Sequence, residues 1–313
     1  MQEREQEAVP GSKAGFLGNP NIAGISLALL CVAVWSANFI VGRGVSEAVP
    51  PFTLSFMRWF VAFCAIAPFT VFSVYRNRRH FLENWRYYSV VAVVGVSMIN
   101  TFIYIAAHTV QALNLSLIAA SSPLFVLILA RLLYGDPITP VRLTGICVVL
   151  AGILLLITRG DLGVLAKLDF HVGDLYMLAG AFSFAVYTLL MRKPPSGAKP
   201  FDALAVMFGV GLIFLVPLYA WEAANTQPVQ YTPSILAVFL YCGLGASIFC
   251  YWLWAKAISF IGPARAAIVY YSMPLFCGVE AIIFLGEKVL WVHYVSGAMI
   301  LGGLLVATKP SRK

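Results

Sequence analysis

Only 11% of the 313 residues carry charge, and two of those charges fall deep inside long apolar runs: Arg58 and Glu280. A guanidinium in such a place attracts a carboxylate, and a carboxylate there attracts an ammonium group or takes up a proton. Each also has a plainer reading, as half of an ion pair or as a side chain reaching back toward water. Arg58 is read as structural, whereas Glu280 suits either role. Neutral candidates stand around them: Asn38, Asn100, Tyr104, Ser122, Tyr187, Trp254, Tyr270 and Tyr271. Asn100 and Tyr104 lie four residues apart and share one helical face. Amides and hydroxyls suit the polar end of a zwitterion, and rings suit an apolar or aromatic side chain. As a set these residues read as the wall of a small-molecule cavity. Taken singly, Asn100 also suits a hydrogen bond between helices, and Trp254 an anchor at a membrane surface like Trp59, Trp85, Trp221 and Trp291.

The same inventory argues against catalysis. His80, His108, His171 and His293 are scattered, with no H-E-x-x-H spacing, and no G-x-x-x-x-G-K-[ST] occurs. Glu280 has no second carboxylate in its run for acid–base work. The six cysteines form neither a C-x-x-C pair nor a metal-ligand cluster and read as small packing residues. No cofactor, metal or enzymatic activity is expected.

The elements that must hold these residues follow from composition. Apolar residues make up 61% of the chain, and about 20 consecutive apolar residues span a bilayer. Ten such windows are predicted, near 22–42, 52–73, 88–107, 112–134, 140–157, 173–192, 201–221, 233–256, 264–285 and 290–308. The first 21 residues are polar and acid-rich and read as a tail and not a cleaved leader. With that tail in the cytoplasm, sixteen Lys and Arg fall on the cytoplasmic side and four on the other. The bias places both termini in the cytoplasm. The net charge of +8 is therefore topology and not a nucleic-acid footprint.

The chain repeats itself. Gly24 and Gly173, and Pro51-Phe52 and Pro200-Phe201, match at an offset of 149, while Pro123/Pro274 and Gly152/Gly303 match at 151. Gly135-Asp136 and Gly286-Glu287 follow the two central prolines at the same distance. The expected division is a tail at 1–21, a five-helix unit at 22–158, a connecting loop at 159–172, a second unit at 173–308 and a tail at 309–313. Five spans per unit make the second copy enter the membrane from the opposite side, giving an inverted repeat. Pro123 and Pro274 lack an N–H and clash with the carbonyl four residues back. They should break their helices at mid-membrane and free the carbonyls of Ala119 and Tyr270, with Ser121 and Ser122 placed to repair the first break. Paired broken helices point to a transport site where the two halves meet. The small residues of the fifth and tenth spans are assigned to scaffolding or dimer contact.

WSANF at 35–39, Pro51 followed by Arg58, SPLF at 122–125, Gly135-Asp136, Gly145 with Gly152, and PLF at 274–276 with Gly286-Glu287 resemble the drug/metabolite transporter superfamily. The nearest likeness is to its EamA-type ten-span branch, and within that to bacterial aromatic amino-acid exporters. Ser36, Asp136 and Ser296 depart from the pattern where Gly, Glu and Gly are usual. The resemblance implies an all-α integral membrane protein with ten helices and a central cavity, and export as the direction of transport.

The expectation is thus a secondary transporter in the cell inner membrane, exporting hydrophobic or aromatic amino acids or similar small metabolites by alternating access. Efflux of lipophilic cations, or a passive channel, are the alternatives. The expected partners are a small-molecule substrate and the lipid bilayer, with no nucleic acid and with a homo-oligomer left open.

Overall fold

The structure is a computed structural model and describes residues 20–135, 140–161, 171–191 and 194–307. The outer parts of both tails, residues 162–170 of the connecting loop, Asp136 and Arg192 lie outside the described residues, as does the Pro123 side chain. Every described element is a helix. They are α1 (Pro20–Gly44), α2 (Pro51–Arg76), a short α3 (Arg78–Glu83), α4 (Trp85–Ala107), α5 (Ala112–Ala119), α6 (Ser122–Tyr134) and α7 (Pro140–Ile157). The second half holds α8 (Val172–Leu190), α9 (Pro200–Asn225), α10 (Pro233–Leu240), α11 (Cys250–Tyr270), α12 (Met273–Leu285) and α13 (Trp291–Ala307), with a π-helical stretch at Tyr241–Phe249 joining α10 to α11. Among the described residues seven helices are long and apolar enough to cross a membrane. Leu143–Leu156 in α7 and Met273–Leu285 in α12 are shorter apolar segments.

Both proline-containing runs are interrupted just ahead of the proline, at Ala120–Ser121 and at Tyr271–Ser272. Serine hydroxyls bond backbone carbonyls at both breaks: the expected Ala119 O at the first, but Val269 O and not Tyr270 O at the second. Ser122 Oγ donates to Ala119 O at 2.5 Å and Ser121 Oγ to Ile118 O at 2.5 Å, while Ser272 Oγ donates to Val269 O at 2.7 Å. The helices that follow end at Gly135 (φ 72°) and Gly286 (φ 64°), where the left-handed backbone favours glycine. Glu287, the acid of the second Gly-acid pair, accepts the backbone N–H of Ala112 at 2.8 Å and of Leu113 at 3.3 Å. It thereby caps the first turn of α5, where an anion is favoured.

α11 doubles back on itself. The rings of Trp254 and Tyr270 lie 6.1 Å apart, whereas sixteen residues of straight helix would separate them by about 24 Å. The reversal supplies the turn expected between 256 and 264.

Helix pairing has a two-fold pattern. α1 packs on α11 and α12, and α8, its counterpart, packs on α4 and α6. α2 packs on α9, and α7 on α13. Matched glycines seat these contacts: a Cβ on Gly24 would come within 2.5 Å of Ile261, and one on Gly173 within 2.6 Å of Val110. A Cβ on Gly152 would meet Met299 at 2.9 Å, and one on Gly303 would meet the Gly145 carbonyl at 2.8 Å. Of the glycines assigned to scaffolding or dimer contact, Gly145, Gly152 and Gly303 are thus occupied by each other's helices within one chain, whereas a Cβ on Gly302 would meet nothing within 4 Å. Phe69, Phe72, Ile213 and Phe284 point outward and are largely exposed, as side chains facing lipid must be. Trp59 departs from its expected place at the membrane surface. It is fully buried, 4.9 Å from the Phe208 ring, because α9 closes over that face of α2.

Candidate substrate cavity

Three other segments fix Arg58 on α2. Its guanidinium donates to Asn38 Oδ1 at 2.6 Å from α1, to the Tyr104 hydroxyl at 3.0 Å from α4, and to Ala246 O at 3.3 Å from the π-helical stretch at Tyr241–Phe249. Tyr104 in turn donates to Asn38 Oδ1 at 2.9 Å, and the guanidinium lies 5.1 Å from the Trp59 ring centre. All three polar residues are buried. A charge taken out of water needs such partners to remain ionised. Arg58 is therefore a junction of helices, and the ion pair with Glu280 does not form. Glu280 instead accepts a 2.8 Å hydrogen bond from Ser36 Oγ. Ser36 and Asn38 are two residues apart and so lie on nearly opposite faces of α1, which keeps the two charges apart.

Above this junction lies a cavity of about 80 Å³, lined by Trp35, Asn38, Phe39, Arg58, Gly95, Ile99, Asn100, Ile103, Phe184, Tyr251, Tyr270 and Met273. That is room for about two or three waters at roughly 30 Å³ each, so the centre is narrow in this structure. One wall is polar, with Asn38, Arg58 and Asn100. The other is aromatic: Trp35 lies 5.4 Å from Trp254 and 6.3 Å from both Tyr251 and Tyr270, and Phe184 stacks on Tyr270 at 6.0 Å and 11°. Trp35 Nε1 donates to Ala246 O at 2.9 Å, so one carbonyl fastens both walls. The Asn100 amide makes no hydrogen bond among the described residues and borders the cavity.

The local fold explains why these groups converge. α4 has a π-helical stretch at Val93–Met98, at the position matching the one at Tyr241–Phe249. Such turns rotate the side chains that follow and recur at functional sites. Each holds a glycine at a close approach. A Cβ on Gly95 would fall 2.3 Å from the Tyr187 ring, and one on Gly243 2.6 Å from Val61.

Of the residues singled out by sequence, Asn38, Arg58, Asn100 and Tyr270 line the cavity. Tyr104 supports it from below, and Tyr187 and Trp254 stand one ring behind, against Phe184 and Trp35. Ser122 does not reach it, because its hydroxyl is spent on the Ala119 carbonyl. Tyr271 is packed in the apolar core. The second break borders the cavity through Tyr270 and Met273, whereas no described side chain of the first break does. Sequence reasoning passed over Phe39, Phe184, Tyr251 and Met273. Phe184 and Tyr251 carry a readable signal, since each lies three residues before an aromatic already chosen and so shares its helical face.

Apolar, membrane-length helices interrupted in pairs around a narrow polar–aromatic centre define a membrane transporter. The EamA-like transporter family matches the chain twice, over residues 22–158 and 171–309, and the chain belongs to that family. An uncharacterized transporter of Archaeoglobus fulgidus is 28% identical over 285 residues, covering 90% of this chain and 96% of that protein. A probable amino-acid metabolite efflux pump of Escherichia coli is 23% identical over 289 residues, covering 90% and 93%. A crystal structure of a protein 20% identical in sequence superposes with a TM-score of 0.58 over 91% of this chain, a likeness of fold. The protein is a multi-pass membrane protein, and its relatives are named as transporters and not as enzymes.

Proposed function

We propose that the chain is a ten-span exporter of amino acids, favouring hydrophobic or aromatic ones, that works by alternating access between two inverted five-helix units. Support for the inversion comes from α2 and α9, matched helices that run antiparallel: Thr53 meets Glu222 at one end and Ser73 meets Asp202 at the other. The charge bias puts both termini in the cytoplasm, with the cell inner membrane as the location. The observation that carries the cargo reading is the two-walled cavity. Asn38, Asn100 and the Arg58 positive charge suit a carboxylate and its ammonium partner, and the rings of Trp35, Phe184 and Tyr270 suit the side chain. At about 80 Å³ the cavity is too small for such a cargo, so the halves part to admit it. The rings would also hold a lipophilic cation, but Arg58 in the wall repels one. The efflux-pump name of the Escherichia coli relative favours export as the direction. The test is counterflow of labelled amino acids into liposomes holding the purified protein, with a lipophilic cation in parallel. Saturable exchange of an aromatic amino acid supports the proposal. Exchange of the cation alone, or ion-scale conductance, overturns it.

A further inference from the structure

Two buried carboxylates outside the cavity occupy matching places at opposite ends of one helix pair. At the Pro51 end of α2, Glu222 from α9 accepts the Thr53 hydroxyl at 2.8 Å and the backbone N–H groups of Phe52 at 3.1 Å and Thr53 at 2.6 Å. At the Arg76 end, Asp202 from the first turn of α9 accepts the Ser73 hydroxyl at 2.5 Å. The numbering offset of 149 that relates Pro51 to Pro200 converts Thr53 to position 202 and Ser73 to position 222. The two pairs are therefore one contact repeated by the two-fold, with acid and hydroxyl exchanged. Both acids are only 3% exposed, and twenty residues of helix put the pairs about 30 Å apart, one near each membrane face. Each acid also borders a crevice. Asp202 and Ser73 line one of about 880 Å³, and Glu222 lines one of about 710 Å³.

We propose that Thr53–Glu222 and Ser73–Asp202 are paired latches that set which face of the carrier opens, both being closed in this structure. The inference rests on the alternating-access reading and adds residues that never touch cargo. α2 and α9 belong to different halves and pack against each other between the two pairs, with Phe56 stacked 4.5 Å from Tyr219 and Trp59 against Phe208. Rocking one half against the other separates this pair at one end while the other end stays shut. A carboxylate held by a hydroxyl is a short, charge-assisted bond, strong when made and costly to leave half-made. Glu222 holds two further N–H groups, whereas among the described residues Asp202 accepts the Ser73 hydroxyl alone, so the Arg76 end is the weaker latch. The occluded state should thus give way first on the face that carries Arg76 to Arg86.

The test measures opening directly in full-length protein in lipid nanodiscs, by electron–electron distance measurements in a thiol-free background. Spin labels at Tyr75 and Phe201 report one end, and labels at Glu47 and Trp221 report the other. Ser73→Ala should raise the open population at the Tyr75–Phe201 end by about tenfold, the effect of losing one charge-assisted hydrogen bond, and leave the other end unchanged. Thr53→Val should do the reverse. Asp202→Ala and Glu222→Ala should repeat the two patterns, and should either fail to insert, the hydroxyl variants still decide. The exchanged double variant Ser73→Asp/Asp202→Ser should restore the closed distances. Equal opening of both ends by either variant, or no change at either, overturns the latches. Failure of amino-acid counterflow with this one-ended response intact would overturn the cargo alone.

Discussion

Removing the charge at the centre of the protein should do less harm than removing one of its partners. In Arg58→Met the bonds to Asn38, Tyr104 and Ala246 disappear, but so does the cost of keeping a guanidinium out of water. What remains is satisfied: Tyr104 still donates to Asn38, and Ala246 O still accepts from Trp35. The net loss should be about 1 kcal/mol, made up of packing and the contact with Trp59. In Asn38→Leu the guanidinium stays but loses its 2.6 Å acceptor, and the Tyr104 hydroxyl loses its acceptor too. A buried charge left half-paired costs about 3 kcal/mol or more. At roughly 2–4 °C per kcal/mol for a chain of this order of size, Arg58→Met should lower the melting temperature by a few degrees and Asn38→Leu by about three times as much. Cys31, Cys242, Cys250 and Cys277 are free and buried, so a thiol-reactive dye in detergent reads unfolding without added labels. The double variant should melt higher than Asn38→Leu alone. If Arg58→Met proves as damaging as Asn38→Leu, or the double variant recovers nothing, the guanidinium is no junction stabilised by its partners.

Asn100→Ala should raise KM for the transported amino acid by about tenfold, from one lost polar contact, while the melting temperature holds, since the amide serves no other described residue; a parallel drop in stability would make it structural. Glu287→Ala uncaps α5 at Ala112 and Leu113 and should cost about 1–2 kcal/mol, read as a lower melting temperature. Gly303→Val drives a side chain into the Gly145 carbonyl, 2.8 Å from where its Cβ would sit, and should destabilise by about 1–3 kcal/mol; unchanged melting would mean that α7 and α13 are not closely packed. His108, at the end of α4, has its imidazole pushed below its ordinary value of 6.5 by burial, with Glu222 opposing and Arg43 reinforcing the shift. A base lowered on folding contributes stability above 6.5 that is lost as pH falls through the folded value. Wild type should therefore lose more melting temperature than His108→Asn between pH 7.5 and 5.5.

The frame was legible because its signals are local. Apolar windows, the prolines at 123 and 274 and the glycines at 135 and 286 act through the backbone of their own run. What the Gly-acid pairs do was not legible, because Glu287 caps a helix that begins 175 positions earlier. The π-helical stretches were equally hidden, since their apolar sequences fit an α-helix as well and only Gly95 and Gly243 mark the close approaches. At the centre, Arg58 and Glu280 looked like natural partners as the only charges deep in their runs. The rotation of α1 that puts Ser36 on one side and Asn38 on the other decided otherwise, and rotation is set by packing and not by hydropathy.

The backbone repeats, but the chemistry at the cavity does not. At the offset of 149, Asn38 is matched by Tyr187, Arg58 by Met207 and Tyr104 by Leu253. The polar side chains of the junction thus belong to the first unit, the second adding the Ala246 carbonyl, and the second unit puts rings and apolar side chains at the corresponding places. Had both units kept the polar set, two guanidiniums would face each other across a closed centre of about 80 Å³, where like charges repel with little water to screen them. Had both kept the apolar set, nothing would orient a polar end. Divergence of the copies around a preserved pairing of helices gives one polar wall and one aromatic wall. On the proposed reading, a molecule with a charged end and an apolar side chain would fit in one orientation only, whichever way the carrier faced.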